Sequence, residues 1–421
     1  MYTSRTGILC LVLQAAVCVG GFCQTTTNPP VTNAPADQTQ APATDTTTPP
    51  VGQTPSAVAL PAPPMTGPLK ELPPATFDAG PFGTIAVNGI LSGTGMWQSN
   101  HVPGDNPTQA ALSNGQVWIQ KTDGWFQFYL EAGAYTIPSL ATPYLATDKT
   151  MTNFYGPVPV GFVKLVPGKN TSIYVGALPT LIGAEYTFSM ENMNIERGIV
   201  WNQENAVNRG IQVTQTMGKF AASVSWNDGF YSNRYSWLTG SLAYTNGPHS
   251  LALVAGGNLG QTAYQTAATP VQNNGSIYNV IYTYTNGPWI VQPYFQYTDV
   301  PTNPDVGVTK GASTRGGAIL VSRSLSRGFS LAGRWEYIAS TGNADAVNLM
   351  FGPGSSGTSG TLTPTFQKGG FFVRGDLSWV HANDITPGFA FGREGANQNQ
   401  LRAMAEIGFL FGSTTAEKKR N

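Results

Sequence analysis

One tight turn recurs at a nearly constant spacing, and this pattern limits the possible fold more than any other feature of the sequence. The pentapeptide YTNGP occurs at 244–248 and again at 284–288. Asn-Gly is a strong signal for a two-residue hairpin turn of type I′. Tight turns follow at Arg327-Gly328 and Gly369-Gly370, so the four turns lie 40, 41 and 42 residues apart. Each interval is long enough to hold two strands and a connection between them.

Segments of about ten residues with alternating apolar and polar side chains fill these intervals. This is the length of a tilted β-strand that crosses a membrane. Examples are WFQFYLEAGAYT (125–136), SIYNVIYTYT (276–285), FFVRGDLSWV (371–380) and LRAMAEIGFLF (401–411). A sustained helical period is absent from the sequence, so we expect an all-β protein.

Short turns alternate with long polar connections along the chain. Three further tight turns, at Asp123-Gly124, Pro167-Gly168 and Met217-Gly218, raise the number of short turns to seven. The long segments include 259–275, 299–313, 340–358 and 382–399. Short periplasmic turns and long external loops are typical of outer-membrane barrels. Seven inner turns predict a transmembrane antiparallel up-and-down β-barrel of about 16 strands.

Aromatic residues flank most of the short turns. Such rings form a girdle at the membrane interface, because their bodies are apolar and their edges polar. The residues that follow a turn are Trp125, Phe220, Trp289, Phe329 and Phe371, and those that precede one are Tyr244, Tyr284 and Phe366.

The low charge content fits a barrel with one face toward lipid and one face toward water. Charged residues make up 10% of the chain, against roughly 25% in typical soluble domains. The formal net charge is zero, which argues against nucleic acid as a partner. Beyond the N-terminus the sequence lacks an apolar run long enough for a transmembrane helix.

The two ends of the chain differ in composition from the barrel at 81–411. Residues 1–23 resemble a signal peptide, with Arg5 before an apolar run, and Cys23 leaves acylation as an alternative. Residues 24–80 are rich in Pro, Thr and Ala, which predicts a disordered linker that could reach periplasmic partners. Residues 412–421 form a polar tail.

Strand alternation assigns the charged residues of the barrel to the lumen. In 371–380, Phe371 and Val373 occupy odd positions and point to one face of the strand, and Arg374 and Asp376 occupy even positions and point to the other (we call this odd or even position the parity of a residue). A charge exposed to hydrocarbon costs about 2–4 kcal/mol near the membrane midplane, so the charged parity marks the water side. The lumen charges predicted in this way are Arg334, Glu336, Arg374, Asp376, Arg402 and Glu406.

These charges have two compatible interpretations. They could form a salt-bridge network that stiffens the barrel, or they could act on permeating solutes. Arg209 and Arg323 break the assigned parity, which indicates either a shifted strand or an arginine at a membrane interface.

The segment 181–205, LIGAEYTFSMENMNIERGIVWNQEN, is a candidate constriction loop between the fifth and sixth predicted strands. It carries apolar side chains that favour burial. Its charged residues are Glu185, Glu191, Glu196, Arg197 and Glu204. An acidic loop opposite an arginine-bearing wall would create a transverse field that sets selectivity. The alternative is a cap or a hairpin packed on the rim.

The run PTLIGAEYTFSMENMNIERGIVWN, followed by NRGIQVTQTMGKFAASVSWNDGF, resembles the Putative beta-barrel porin-2, OmpL-like, family over about 85–411. The matching positions are Gly183, Glu185, Asn192, Asn194, Arg197 and Gly210. The resemblance implies an outer-membrane porin, and it brings no catalytic residue and no substrate. The chain departs from the usual barrel pattern by continuing past Phe411, the aromatic residue on which a barrel normally ends.

Catalytic and cofactor motifs are missing from the sequence. A serine hydrolase needs a histidine base beside its nucleophile, and the three histidines, His101, His249 and His381, accompany no Gly-x-Ser-x-Gly elbow. They also lack the spacing of metal ligands, and a phosphate loop or dinucleotide fingerprint is absent. We therefore expect neither an enzyme nor a bound cofactor or metal.

A barrel of 16 strands leaves an aqueous channel. The sequence thus predicts a porin of the bacterial outer membrane, in contact with lipid, for passive diffusion of small hydrophilic solutes or ions. The alternative is a non-conducting surface barrel, such as an adhesin or a structural protein. Both a monomer and a homo-oligomer fit the sequence.

Overall fold

The computed structural model of the protein describes residues 65, 67–262 and 268–413. The predicted signal peptide, most of the predicted linker and residues 414–421 of the predicted tail lie outside the described residues. Within the described part, no helix is both long and apolar enough to cross a membrane.

Sixteen strands form the barrel, and a short strand, β1 (Ala75–Asp78), precedes them. The barrel strands are β2 (Thr84–Gln98), β3 (Thr108–Lys121), β4 (Phe126–Tyr135), β5 (Val160–Gly168), β6 (Thr171–Pro179), β7 (Val207–Met217), β8 (Phe220–Asn227), β9 (Trp237–Asn246), β10 (His249–Asn258), β11 (Ser276–Asn286), β12 (Trp289–Val300), β13 (Ala312–Ser324), β14 (Phe329–Ser340), β15 (Ser356–Lys368), β16 (Phe371–Asn383) and β17 (Asn399–Phe411). The helical elements are α1 (Thr147–Asn153) and the 3-10 turns Gly80–Phe82, Ser189–Glu191, Trp201–Gln203, Val271–Asn274 and Pro304–Val306.

Each barrel strand pairs antiparallel with its neighbours in chain order, and β17 pairs with β2 to close the sheet. In that closing pair, Arg402 lies opposite Gln98 and Phe411 opposite Gly89. Closure satisfies the backbone hydrogen-bonding groups that an open sheet edge would expose to hydrocarbon. The predicted antiparallel barrel of 16 strands is therefore confirmed.

The repeated YTNGP turn differs from the predicted turn type. Asn246 pairs with His249 across the hairpin, so the two turn residues are Gly247 and Pro248. Gly247 has a φ of 57°, and Gly287 in the second copy has a φ of 54°. Asn246 does not have a positive φ. Glycine with positive φ at the first central position is the pattern of a type II′ turn. The type I′ prediction was wrong because the proline fixes a negative φ at the second position.

The turn after β5 is also displaced from its predicted position. Gly168 lies opposite Thr171 in the β5–β6 ladder, so this hairpin turns at Lys169 and Asn170 and not at Pro167-Gly168. The strand continues through the predicted turn because Gly168 still pairs, beyond an irregularity in the ladder.

Aromatic rings near the short turns pack against each other across neighbouring strands. The ring centroids of Phe220 and Tyr244 are 4.9 Å apart, and those of Phe329 and Phe366 are 4.8 Å apart. These contacts place the rings at one level, as expected for an interfacial girdle.

The two arginines that broke the predicted parity lie at opposite ends of their strands. Arg323, at the short-turn end of β13, places its guanidinium 4.7 Å from the ring centroid of Trp289. Arg209, at the loop end of β7, pairs with Asp228 at 2.8 Å. Their strands keep a regular register, so the shifted-strand alternative is wrong, and both arginines lie near strand ends, where the interface alternative expects them.

We expect a charge on the outer face to destabilise the barrel in a manner that depends on depth. Leu377 lies in the middle of β16, is 54% exposed and pairs with Leu362 and Ala403. Leu377→Arg should lower the free energy of unfolding by about 2–4 kcal/mol, measured by urea unfolding in detergent or lipid.

The matched control is Leu325→Arg, in the turn between β13 and β14, where Leu325 is 49% exposed. At the interface the same charge should cost only about 0–1 kcal/mol. Equal losses for the two variants would contradict a membrane that crosses the barrel at mid-strand.

Candidate functional site

The segment between β6 and β7, residues 180–206, lies inside the barrel, and we call it the inner loop. Nearly all of its residues are buried. The alternation of β14, β16 and β17 turns six charged side chains toward it, and we call these the charged wall. They are Arg334, Glu336, Arg374, Asp376, Arg402 and Glu406. Each sequence-predicted lumen residue, on the wall or the loop, is at most 6% exposed.

Arg334 joins the wall to the inner loop. Its Nη1 lies 2.6 Å from Oε1 of Glu185, and the same nitrogen donates to the carbonyl oxygen of Glu196 at 2.6 Å. Its Nε donates to Glu336 Oε2 at 3.1 Å. The loop carboxylate and the wall arginine are thus in direct contact, and their side chains are fully buried.

Glu336 holds the inner loop by its backbone. Its carboxylate accepts hydrogen bonds from the amides of Ile199 at 3.1 Å and Val200 at 3.2 Å. The preceding residue, Gly198, has space only for a hydrogen, because a Cβ would lie 1.8 Å from Glu336 Oε1. Gly198 also donates its amide to Glu185 Oε2 at 2.9 Å. The glycine therefore allows two carboxylates to converge on one backbone turn.

Arg402 anchors the inner loop together with the connection that follows β4. Its Nη1 lies 2.6 Å from Glu196 Oε1 and 3.0 Å from the carbonyl oxygen of Ser139. The amide of Leu140 in turn donates to the carbonyl oxygen of Arg197 at 3.0 Å. Two long connections are thus fastened at one arginine.

Arg374 binds the loop through carbonyl oxygens. It donates to Ser189 at 2.8 Å, Asn192 at 2.9 Å and Met193 at 3.2 Å. Its own wall partner, Glu406, is farther away, at 3.6 Å between Nη1 and Oε2. Three peptide dipoles therefore supply most of the hydrogen bonding for this guanidinium.

The remaining wall carboxylates are held by neutral donors. Asp376 accepts from the amide of Glu196 at 2.9 Å and from the hydroxyl of Thr363 at 2.5 Å. Glu406 Oε1 accepts from the side chains of Ser92 at 2.9 Å and Asn114 at 3.0 Å. The wall and the loop thus form one connected network.

The remaining loop charges make contacts within the inner loop. The guanidinium of Arg197 lies 5.4 Å from the ring of Trp201, and burial lowers its pKa to about 10, so it stays charged at neutral pH. Glu204 lies against Gly183, and burial raises its pKa well above the usual value. Glu191 accepts a hydrogen bond from the amide of Phe188 at 2.9 Å.

The acidic loop therefore touches the arginines instead of facing them across a gap. Glu185 and Glu196 form ion pairs with Arg334 and Arg402 at 2.6 Å each. The sequence predicted an acidic loop opposite an arginine-bearing wall and left a salt-bridge network as an interpretation of the wall charges; the structure joins the loop carboxylates Glu185 and Glu196 to the wall arginines in ion pairs.

The opposite side of the inner loop faces a groove against β9–β12. The loop contributes Leu181, Gly183, Ala184 and Tyr186 to this groove. The strands contribute Ser241, Ala243, Ser250, Ala252, Val254, Ile281, Thr283 and Gln292. We call this the neutral groove, because every residue that lines it is uncharged.

The residues just before β1, at 67–74, lie within the barrel at its short-turn end, although the sequence placed them in the disordered linker. Leu69 is 1% exposed and packs in an apolar cluster that includes Trp118, Phe188 and Phe372. Lys70 and Gln367 exchange two hydrogen bonds of 2.7 Å. The composition of the linker as a whole concealed this apolar anchor.

This N-terminal segment also reaches the inner loop. A Cβ on Gly67 would lie 2.2 Å from the carbonyl oxygen of Asn192, so the two backbones are in close contact. Asn88 donates to the carbonyl oxygen of Leu72 at 2.9 Å, and the amide of Ser413 donates to Pro73. The segment thus supports the loop from the short-turn side.

We expect docking of the N-terminal segment to weaken as the pH rises. Burial raises the pKa of Glu71 from 4.5 to about 7, only partly offset by the nearby Trp118. The docked segment therefore binds a proton that the undocked one releases at lower pH, so docking is strongest below about pH 4.5 and declines up to about pH 7. Amide hydrogen exchange of residues 67–73 should then be faster in the wild type than in Glu71→Gln at about pH 8.

At about pH 4 the two proteins should exchange equally, because both side chains are neutral there. The matched control is Asp78→Asn on the exposed strand β1, which should keep the pH dependence of the wild type. Equal protection of wild type and Glu71→Gln at pH 8 would contradict a role for this carboxyl.

We expect the loss of one buried partner to destabilise the loop–wall network strongly. Glu185→Gln or Arg334→Met should each cost about 3–5 kcal/mol of unfolding free energy, because the first removes one of the two carboxylates that pair with buried Arg334 and the second leaves Glu185 and Glu336 buried without that arginine. The double variant should recover a substantial part of this loss.

Denaturant unfolding of the four proteins in a double-mutant cycle measures the coupling. The control pair is Lys121→Met and Asp123→Asn, whose exposed salt bridge of 2.7 Å at a turn should couple by less than about 1 kcal/mol. Additive losses for Glu185 and Arg334 would show that their contact does not hold the loop.

A family model described as Putative beta-barrel porin-2, OmpL-like, matches residues 84–411. No curated relative matches the sequence. Several solved outer-membrane structures are similar to the chain in fold.

DcaP, an outer membrane channel of Acinetobacter baumannii, aligns with a TM-score of 0.53 at 10% identity, over 80% of this chain and 100% of its own. OmpF of Salmonella typhi, in complex with daunomycin, aligns with 0.53 at 10% identity, over 78% and 98%. The trimer form of in-vitro folded OmpT of Vibrio cholerae aligns with 0.50 at 10% identity, over 78% and 99%. At this identity the likeness shows the fold alone.

Proposed function

The chain belongs to the Putative beta-barrel porin-2, OmpL-like, family, and we propose that it forms a channel for passive diffusion of small hydrophilic solutes or ions, narrowed by its inner loop. The family and the barrel make the protein a porin of the bacterial outer membrane. The proposed narrowing of the channel rests on the docking of residues 180–206 inside the barrel.

The loop–wall network is the observation that carries this proposal. Glu185, Glu196 and the amides after Gly198 hold the loop on β14–β17. The loop must then reduce the cross-section of the lumen at that level, while the groove against β9–β12 stays on its other side.

Planar bilayers test the channel directly. We expect purified, heat-modifiable protein to give stable single-channel openings. Folded protein that never opens would overturn the channel and would favour a non-conducting surface barrel.

We expect a variant that undocks the inner loop to conduct more. Gly198→Ala puts a methyl group at the position 1.8 Å from Glu336 Oε1, and the carboxylate is fixed by Arg334 and two loop amides, so the loop must move. Its single-channel conductance should exceed that of the wild type. The control is Gly95→Ala on β2, where a Cβ meets nothing within 4 Å. Unchanged conductance in Gly198→Ala, with the loop shown to be displaced, would remove the constriction.

We propose a channel role without catalysis. His249 contacts Tyr282 at 2.6 Å, and His381 contacts Asn399 and Asn383, so these rings lie among strand residues and lack a catalytic nucleophile as a partner. Among the described residues, no group of three or more side chains could hold a metal ion.

Two further roles extend the proposal to partners. We propose that the barrel can assemble as a homo-oligomer, since the OmpT neighbour is described in a trimer form. We also propose that the linker makes periplasmic contacts, because its described residues 67–74 enter the barrel at its short-turn end, where Lys70 bonds to Gln367.

A further inference from the structure

The inner loop is in contact with the strands opposite the charged wall. Gly183 of the loop donates its amide to the side chain of Asn279 at 3.2 Å, and Gln296 donates to the carbonyl oxygen of Val200 at 3.0 Å. The neutral groove beside these contacts has a volume of about 30 Å³, which is room for only a few water molecules. A sugar or a hydrated ion therefore does not pass on this side while the loop stays docked.

An apolar contact joins the inner loop to a further part of the wall. Phe188 and Met190 of the loop lie in one cluster with Tyr129, Phe162 and Tyr174 of β4, β5 and β6, and all five side chains are at most 9% exposed. The loop–wall network holds the loop on β14, β16 and β17. The docked loop thus blocks the lumen on three sides, so a permeating solute needs the loop to move.

Leu69 of the N-terminal segment connects the inner loop to the barrel wall. It belongs to the apolar cluster that contains Phe188 of the loop and Trp118 and Phe372 of β3 and β16. The ring of Tyr135 on β4 packs against Phe188, with centroids 5.1 Å apart. Release of Leu69 would therefore remove one member of the cluster that holds this part of the loop.

The N-terminal segment also supports the loop backbone that Arg374 binds. Arg374 donates to the carbonyl oxygens of Ser189, Asn192 and Met193 from the wall. Gly67 lies against the same stretch, because a Cβ there would be 2.6 Å from the carbonyl carbon of Asn192. The loop at 189–193 is thus held between an arginine of the wall and the N-terminal segment.

Few contacts fix the N-terminal segment at the mouth of the barrel. Besides the two hydrogen bonds between Lys70 and Gln367, the side chain of Leu72 lies at the turn after β15, where a Cβ on Gly370 would be 3.4 Å from its Cδ1. β1 follows the segment and pairs with β2 at Thr84–Val87, next to the part of β2 that pairs with β17. The segment can therefore leave the lumen while β1 keeps it attached to the rim.

A buried charge opposes the docked position of the inner loop. Arg197 is 0% exposed, and apart from its contact with the Trp201 ring, none of its side-chain nitrogens donates a hydrogen bond to a described residue. Burial of such a group is unfavourable. The ion pairs of Arg334 and Arg402 return little beyond their own desolvation. The docked loop is therefore finely balanced, and the apolar contacts of the N-terminal segment can decide its position.

We propose that the N-terminal segment gates the channel. While the segment is docked, the inner loop stays across the lumen and the channel is closed; when the segment leaves the wall, the loop moves and the channel opens. This gating rests on the proposed channel function and adds a closed and an open state to it.

Weakening the segment should open the channel more often. We expect Leu69→Asn to raise the ratio of open to closed time in planar bilayers by at least about tenfold. A tenfold change corresponds to about 1.4 kcal/mol, which is less than burial of a leucine side chain contributes. The matched control is Leu325→Asn, in the turn between β13 and β14, where the leucine is 49% exposed and the ratio should stay that of the wild type. Amide hydrogen exchange of residues 67–73 shows whether the segment is released.

Fixing the segment to the wall should close the channel. In a double variant, Lys70→Cys and Gln367→Cys, a short bis-methanethiosulfonate reagent joins the two positions that exchange hydrogen bonds in the wild type. Openings should cease after cross-linking and return when a reductant cleaves the link. Wild type given the same treatment should continue to open. Openings that persist in the cross-linked protein would overturn the gating.

The outcomes separate this inference from the channel proposal. A wild type that conducts, with the same ratio of open to closed time in Leu69→Asn although residues 67–73 exchange freely, overturns only the gating. Folded wild type and Leu69→Asn that both never conduct overturn the channel itself. If Leu69→Asn does not fold, the reversible cross-link decides alone.

Discussion

Buried contacts between arginines and loop oxygens determine how the interior of this barrel is divided. A guanidinium that is removed from water must find several hydrogen-bond partners, or its burial is strongly unfavourable. Arg334, Arg374 and Arg402 find these partners in the inner loop, as carboxylates and as carbonyl oxygens. The position of the loop, and therefore the space left beside it, follows from satisfying these three side chains.

The same requirement explains the sequence of the loop. Gly198 is needed because a side chain there would collide with Glu336, whose carboxylate binds the next two amides. Gly183 has a φ of 82°, and a Cβ there would overlap the carboxylate of Glu204. The glycines and glutamates of the loop are thus parts of one arrangement in which carboxylates sit directly on the backbone.

Much of the fold could be predicted from the sequence, because a strand between lipid and water must alternate apolar and polar side chains. Period-2 alternation gave the faces of β14, β16 and β17 correctly, since a charge in hydrocarbon is too costly to tolerate. Asn-Gly alone predicts the wrong turn type at Gly247, because the proline that follows the glycine fixes a negative φ at the second turn position. The anchor at Leu69 was missed as well, since a few apolar residues inside a Pro/Thr-rich stretch have no periodicity to reveal them.

The candidate site was predictable as a set of residues but not as a geometry. Alternation marks Arg334 and Arg402 as inward, and the apolar content of 181–205 marks a loop that favours burial. Neither pattern predicts the distance between the inner loop and the charged wall, because that distance depends on how the loop packs in three dimensions.

That distance decides the electrostatics of the lumen. Charges that face each other across water create a field that acts on a passing ion. Charges in contact at 2.6 Å largely cancel at any longer range. Because replacing a buried ion pair with apolar residues is often neutral or stabilising, such pairs are weak evidence for stability in themselves. Their effect here is positional: they fix the inner loop against β14, β16 and β17.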